Sequence, residues 1–121
     1  MTAIIALIVS VIIAASWMRF VYKLPWITPY HSQKPVDAWI VTHVIWGVVY
    51  YLVLRWLGFA DLAMVGTIAL GAGFELVENC RAGIAVVRWL GDGRFRGDSV
   101  LNAAVDIVAV AAGGWGCSFV I

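Results

Sequence analysis

Charge is what this sequence has least of. Only 12% of its 121 residues are charged, where an ordinary soluble domain is nearer a quarter. The chain is 64% hydrophobic, and one this short lacks the interior to hide so much apolar surface from water. That argues against a water-soluble domain and for an integral membrane protein. A net charge of +1 gives nucleic acid little to hold. Cysteine is scarce as well, and the layout below sets Cys80 and Cys117 at opposite membrane faces, as unpaired packing residues. No internal repeat or low-complexity tract is present. Neither a phosphate-binding glycine loop nor a nucleophile elbow occurs, and Gly91, Gly93 and Gly97 fit neither spacing.

What is present is a set of apolar segments with punctuated ends. The first covers approximately residues 3–22 and has Arg19 and Lys23 at its far end. A cleaved signal peptide carries its positive charge before the apolar run, so a retained membrane helix is expected. Pro25, Pro29 and Pro35 then impose a loop. Apolar helices are expected at approximately 36–57, 61–79 and 98–120. At roughly 1.5 Å rise per residue, each long segment can cross a hydrocarbon core about 30 Å thick. Gly58-Phe59-Ala60 permits only a tight turn, so the second and third segments should be antiparallel neighbours. Residues 80–97 form an arginine-bearing connection containing an amphipathic stretch, Ala82 to Leu90, suited to a membrane interface. The expected fold is all-α: a single multi-pass domain over residues 1–121, with about four transmembrane helices plus a short interfacial one.

The basic residues are lopsided. Arg19, Lys23, Lys34, Arg81, Arg88, Arg94 and Arg96 fall on one side of this layout, and Arg55 falls on the other. Lys and Arg concentrate in short cytoplasmic loops. The expected location is therefore the bacterial inner membrane, with the basic side cytoplasmic and both termini outside.

The same side collects the polar residues that interrupt the apolar runs. Asp98, Asn102 and Asp106 recur every four residues and share a helix face. Glu75, Glu78 and Asn79 close the third segment, and His43 lies near the start of the second. By helical rise, Asp106 falls roughly 12 Å, His43 roughly 9 Å and Glu75 roughly 6 Å inside their segment ends. Each sits on a stripe of small or polar residues: Asn102, Asp106, Ala109 and Gly113; Thr67, Gly71, Glu75 and Glu78; His43, Gly47 and Tyr50. Small residues let helices approach closely in lipid, and only packed helices could shield these groups.

Structural roles compete for several of them. Glu78 can pair with Arg81, and Asp98 with Arg94 or Arg96. Asn79 and Ser99 can cap helix ends, and His43 alone fits a hydrogen-bonded interior histidine. Glu75 and Asp106 fit structural roles least well, since an unpaired charge inside an apolar run is costly. The candidate catalytic residues are thus Glu75, Asp106 and His43, with His43 transferring a proton. Candidate metal ligands are Glu75, Glu78, Asp98 and Asp106, and candidate binding residues are Asn79, Ser99, Asn102, Arg94 and Arg96. Carboxylate and amide oxygens suit Mg²⁺ or another divalent hard cation. Zinc fits poorly with one buried histidine and badly placed cysteines. Rim arginines suit phosphate.

The series His31-Ser32-Gln33, Asp37, Thr42-His43-Val44-Ile45-Trp46-Gly47, Glu75-Leu76-Val77-Glu78-Asn79 and Gly97-Asp98-Ser99-Val100-Leu101-Asn102 with Asp106 resembles the bacterial UPF0314 membrane proteins, domain family DUF2585. A looser likeness is to the VanZ-like membrane proteins. The resemblance implies a multi-pass inner-membrane protein of unestablished activity; the family also carries a further C-terminal segment that this sequence is expected to lack. It also implies a second histidine where this chain has Trp46, a departure that weakens any two-histidine metal site.

Three functions fit these residues. One is metal-assisted chemistry on a phosphate-bearing lipid or lipid-linked substrate. Another is a non-catalytic subunit or assembly module, in a homo-oligomer or with a membrane partner, whose buried polar residues fix helix packing. The third is a small proton-coupled transporter, for which four helices leave little room unless the chain oligomerises.

Overall fold

The computed structural model describes residues 34–120 together with Ile12, Ser16, Arg19 and Phe20. Those four isolated residues are helical. The rest of the expected first span, 3–22, and the segment His31-Ser32-Gln33 lie outside the described residues. Among the described residues all regular structure is helical: α1 (Ile40–Trp56), a 3₁₀ turn (Ala60–Leu62), α2 (Ala63–Glu78), α3 (Arg81–Leu90) and α4 (Val100–Ser118).

The ends of these helices have local causes. α1 starts later than expected because Asp37 organises a turn ahead of it, its Oδ1 accepting from the Trp39 amide at 2.8 Å. Gly58, at φ +90°, turns the chain after α1, and the 3₁₀ turn feeds α2. The Cys80 sulfur accepts from the Gly83 amide and opens α3, which ends at Gly91 with φ 152°. Ser99 caps α4 by accepting from the Asn102 amide at 3.1 Å, the structural role foreseen for it. Both cysteines are free, Cys80 beyond the end of α2 and Cys117 in the last turn of α4.

Three helices form the core, which is layered. α1 packs most extensively on α4, α2 packs on both, and α3 leans on α2. Val110 of α4 is the pin. A Cβ on Gly47 would collide with the Val110 carbonyl, and one on Gly71 would meet the Val110 side chain at 2.9 Å. A Cβ on Gly113 would in turn strike the Val44 carbonyl. The backbones of α1 and α4 therefore touch, as small residues allow. One helical turn from this Gly47–Gly71–Val110 layer, toward the connection between α3 and α4, lie His43, Glu75 and Asp106. One turn the other way lie Tyr51, Thr67 and Gly114, all buried.

The outward faces are apolar. Val41, Ile45, Val65, Leu76, Val108 and Trp115 are all exposed, a surface that soluble monomers rarely present. Ala60–Glu78 and Val100–Ser118, 19 residues each, are long and apolar enough to cross a membrane, and Ile40–Trp56 is a shorter apolar helix.

A buried carboxylate and histidine cluster as candidate functional site

The polar layer is dense. His43 Nε2 lies 3.2 Å from Glu75 Oε1, and His43 Nδ1 lies 3.4 Å from Asp106 Oδ1. Both acid side chains are about 95% buried, being only 5% exposed. These are ion-pair distances without hydrogen-bond alignment: Glu75 Oε1 and Asp106 Oδ1 are buried and receive no hydrogen bond. His43 Nδ1 instead lies 2.9 Å from the Trp39 carbonyl oxygen. A carbonyl can only accept, so this contact places a proton on Nδ1. Nε2 then faces Glu75 either as the second N–H of an imidazolium or with a lone pair to give to a cation.

Asn79 ties this layer to the loop before α4. Its Oδ1 accepts from the Asp98 amide at 2.5 Å, while its Nδ2 donates to the Glu75 carbonyl at 2.9 Å and to Asp98 Oδ2 at 3.2 Å. Gly97, at φ +94°, lets the loop bend tightly against Asn79. Asp98 is thereby held next to Glu75 and Glu78. Burial, reinforced by the Glu75 charge, pushes the Asp98 carboxyl up to about 6, with the Asn79 hydrogen bond pulling the other way. Asp98 meets Asn79.

A cavity of about 50 Å³ opens beside the cluster, room for a few water molecules or a hydrated ion. Thr42, His43, Glu78, Asp98, Asn102 and Asp106 contribute polar groups to it, and Trp39, Trp46, Tyr50, Phe74 and Phe95 form aromatic walls. Glu75 sits behind His43, out of the lining. Among the described residues no lysine or arginine lines the cavity. Arg94 and Arg96, expected as binding residues, are exposed on the loop outside it. Asn102 is 1% exposed and its Nδ2 has no hydrogen-bond partner.

Two acids in the lining carried no sequence signal as site residues. Asp37 read only as one member of the series that resembles the DUF2585 family, yet its Oδ2 is buried without a hydrogen-bond partner. Asp92 read as part of a glycine break. It is 8% exposed, accepts from the Arg94 amide at 3.2 Å, and has its carboxyl raised chiefly by burial. Both belong to loops, where no helical period reports which way a side chain faces.

Two overlapping groups of side chains could hold a metal ion: His43, Glu75 and Asp106, and Glu75, Glu78 and Asp98. In each, the candidate ligand atoms lie within 4.8 Å of one another. All the sequence-identified acids, with His43, Asn79 and Asn102, are therefore brought to one end of the bundle. Ser99 caps α4 beside them.

No curated protein and no solved structure matches the chain. A family model described as "Protein of unknown function (DUF2585)" matches residues 5–120, nearly the whole sequence, and the chain belongs to that family.

Proposed function

We propose that this is a multi-pass inner-membrane protein whose buried cluster holds a divalent hard cation for chemistry on a phosphate-bearing lipid or lipid-linked substrate. The observation that carries this reading is the convergence of His43, Glu75 and Asp106 with two buried carboxylate oxygens that receive no hydrogen bond. Two buried carboxylates sharing one imidazole are costly, and a cation lowers that cost. Mg²⁺ or Mn²⁺ suits a site of mostly oxygen ligands with room for water.

His43 fits the role of ligand better than that of proton carrier. The Trp39 carbonyl holds the proton on Nδ1 and orients the ring, leaving Nε2 for the cation. The cation, when bound, would polarise a phosphate oxygen and acidify a bound water. Asn102 Nδ2, buried and unpartnered, offers a donor to an oxygen of the same phosphate. Exposed Arg81, Arg88, Arg94 and Arg96 suit collection of anionic head groups outside the cavity. In the reaction a water or alcohol oxygen bonds to phosphorus as an ester P–O bond breaks. The bonding pair leaves on the departing oxygen, which receives the proton given up by the attacking group.

The test is thermal unfolding of the purified chain in detergent, titrated with Mg²⁺. Saturation to about 100-fold over Kd should stabilise the wild type by about 2.7 kcal/mol. The double variant Glu75→Ala/Asp106→Ala should show no such rise, and an equal rise in both proteins defeats the cation reading. Asp106→Asn should stay folded while losing phosphate release from lipid phosphates in mixed micelles. If it loses assembly instead, the cluster is a packing device.

A further inference from the structure

We infer that the cluster is a two-cation centre bridged by the Glu75 carboxylate, with His43 and Asp106 completing one position and Glu78 and Asp98 the other. The inference rests on the cation reading above and deepens it. Glu75 belongs to both groups of candidate ligands, and its two oxygens face different ways. Oε1 lies 3.2 Å from His43 Nε2. Oε2 lies 3.5 Å from Asn79 Nδ2, and that nitrogen is 3.2 Å from Asp98 Oδ2. One oxygen therefore serves the histidine side and the other the Asp98 side, as a bridging carboxylate requires.

Charge points the same way. Glu75, Glu78, Asp98 and Asp106 meet here, Asp37 and Asp92 line the same cavity, and no lysine or arginine among the described residues does. One divalent cation would leave most of that negative charge uncompensated in a largely buried site, and a second brings it closer to balance. The independent sign of a missing ligand is that Glu75 Oε1 and Asp106 Oδ1, on side chains only 5% exposed, receive no hydrogen bond and face only the His43 ring. Asn79 then acts as a positioning residue, holding Asp98 and the end of α2 in register through three hydrogen bonds.

The consequence is a narrower substrate class. Two cations about 3.5–4 Å apart clamp the attacking and leaving oxygens of an in-line displacement at phosphorus. That favours a phosphate or diphosphate ester over a carboxylic ester.

The experiment uses the full chain in detergent, freed of metal and titrated with Mn²⁺. Bound manganese is counted and its electron paramagnetic resonance spectrum recorded. The wild type should bind two ions per chain and show spin coupling between them. Glu78→Gln and Asp98→Asn should each bind one ion, with the hyperfine pattern of an isolated Mn²⁺. That retained site also reports that the variant is folded, and either variant suffices if the other does not fold. A single ion per wild-type chain overturns the two-cation centre and leaves the cation reading standing. Two uncoupled ions overturn the Glu75 bridge. No bound manganese overturns both.

Discussion

Asp98 is the residue on which opposing forces are most evenly set. Burial and the nearby Glu75 favour its neutral form, while Asn79 donates to its carboxylate. Its folded value of about 6 lies above the ordinary 3.8. A carboxyl raised on folding stabilises the fold below its unfolded value, and that contribution is lost as pH rises through the folded one. With divalent ions chelated, the chain should therefore lose stability between about pH 4 and pH 6. Asp98→Asn should flatten that part of the profile, and unfolding temperatures of the two proteins across the window measure the difference. A wild-type profile no steeper than that of Asp98→Asn would show that the carboxyl is not raised. This residue was legible in the sequence by its spacing to Asn102 and Asp106. Its pairing with Asn79 was not: an arginine two or four residues away was the expected partner, and Asn79 is nineteen residues away in sequence. The tight bend at Gly97 brings the two together.

At the level of the helices, the cluster is held by the layer beside it. Gly47 and Gly113 touch facing backbone, and neither contact can yield by rotating a side chain. Gly47→Ala or Gly113→Ala must push α1 away from α4, at a cost of about 1–3 kcal/mol or more. Gly116 lies in the same helix as Gly113, and a Cβ there meets nothing within 4 Å. Gly116→Ala should be neutral or stabilising by up to about 1 kcal/mol, since alanine is the better helix former. Unfolding of the three variants in one detergent gives the comparison. Equal effects at all three positions would remove the argument for a close crossing. Gly47→Ala should also weaken Mg²⁺ binding, because His43 is one turn from the crossing. The stripes that carry this architecture could be read from helical period alone: 43 and 47, 71 and 75, 102, 106, 109 and 113. The period cannot show that Val110, an ordinary valine, is what Gly47 and Gly71 close upon. Nor can it place Asp37, Asp92 and Phe95, which reach the cavity from non-helical backbone.

For the whole molecule the proposed inner-membrane placement requires one end to face the cytoplasm, and the surface charge supplies a prediction. The end carrying the cluster also carries Lys34, Arg81, Arg88, Arg94 and Arg96, while Arg55 stands at the other end, near the turn after α1. Positive charge is retained on the cytoplasmic side during insertion, so the cavity should face inward. α3 agrees with an interfacial position there: Arg81 and Arg88 lie on one edge of its exposed arc, and Val86 and Trp89 on the other. The two cysteines make the prediction measurable, because Cys80 is exposed at the cluster end and Cys117 lies near the opposite one. With Cys117→Ala, a membrane-impermeant maleimide should leave Cys80 unlabelled in intact spheroplasts and label it after permeabilisation. With both native cysteines replaced, Phe119→Cys, exposed at the far end, should label in intact spheroplasts. The reverse pattern would put the cavity outside the cell and hand its substrate to the outer leaflet. Labelling of both positions from one side would mean that α4 does not cross the membrane, and a cluster that depends on α1, α2 and α4 packing side by side within the bilayer would then need a different setting.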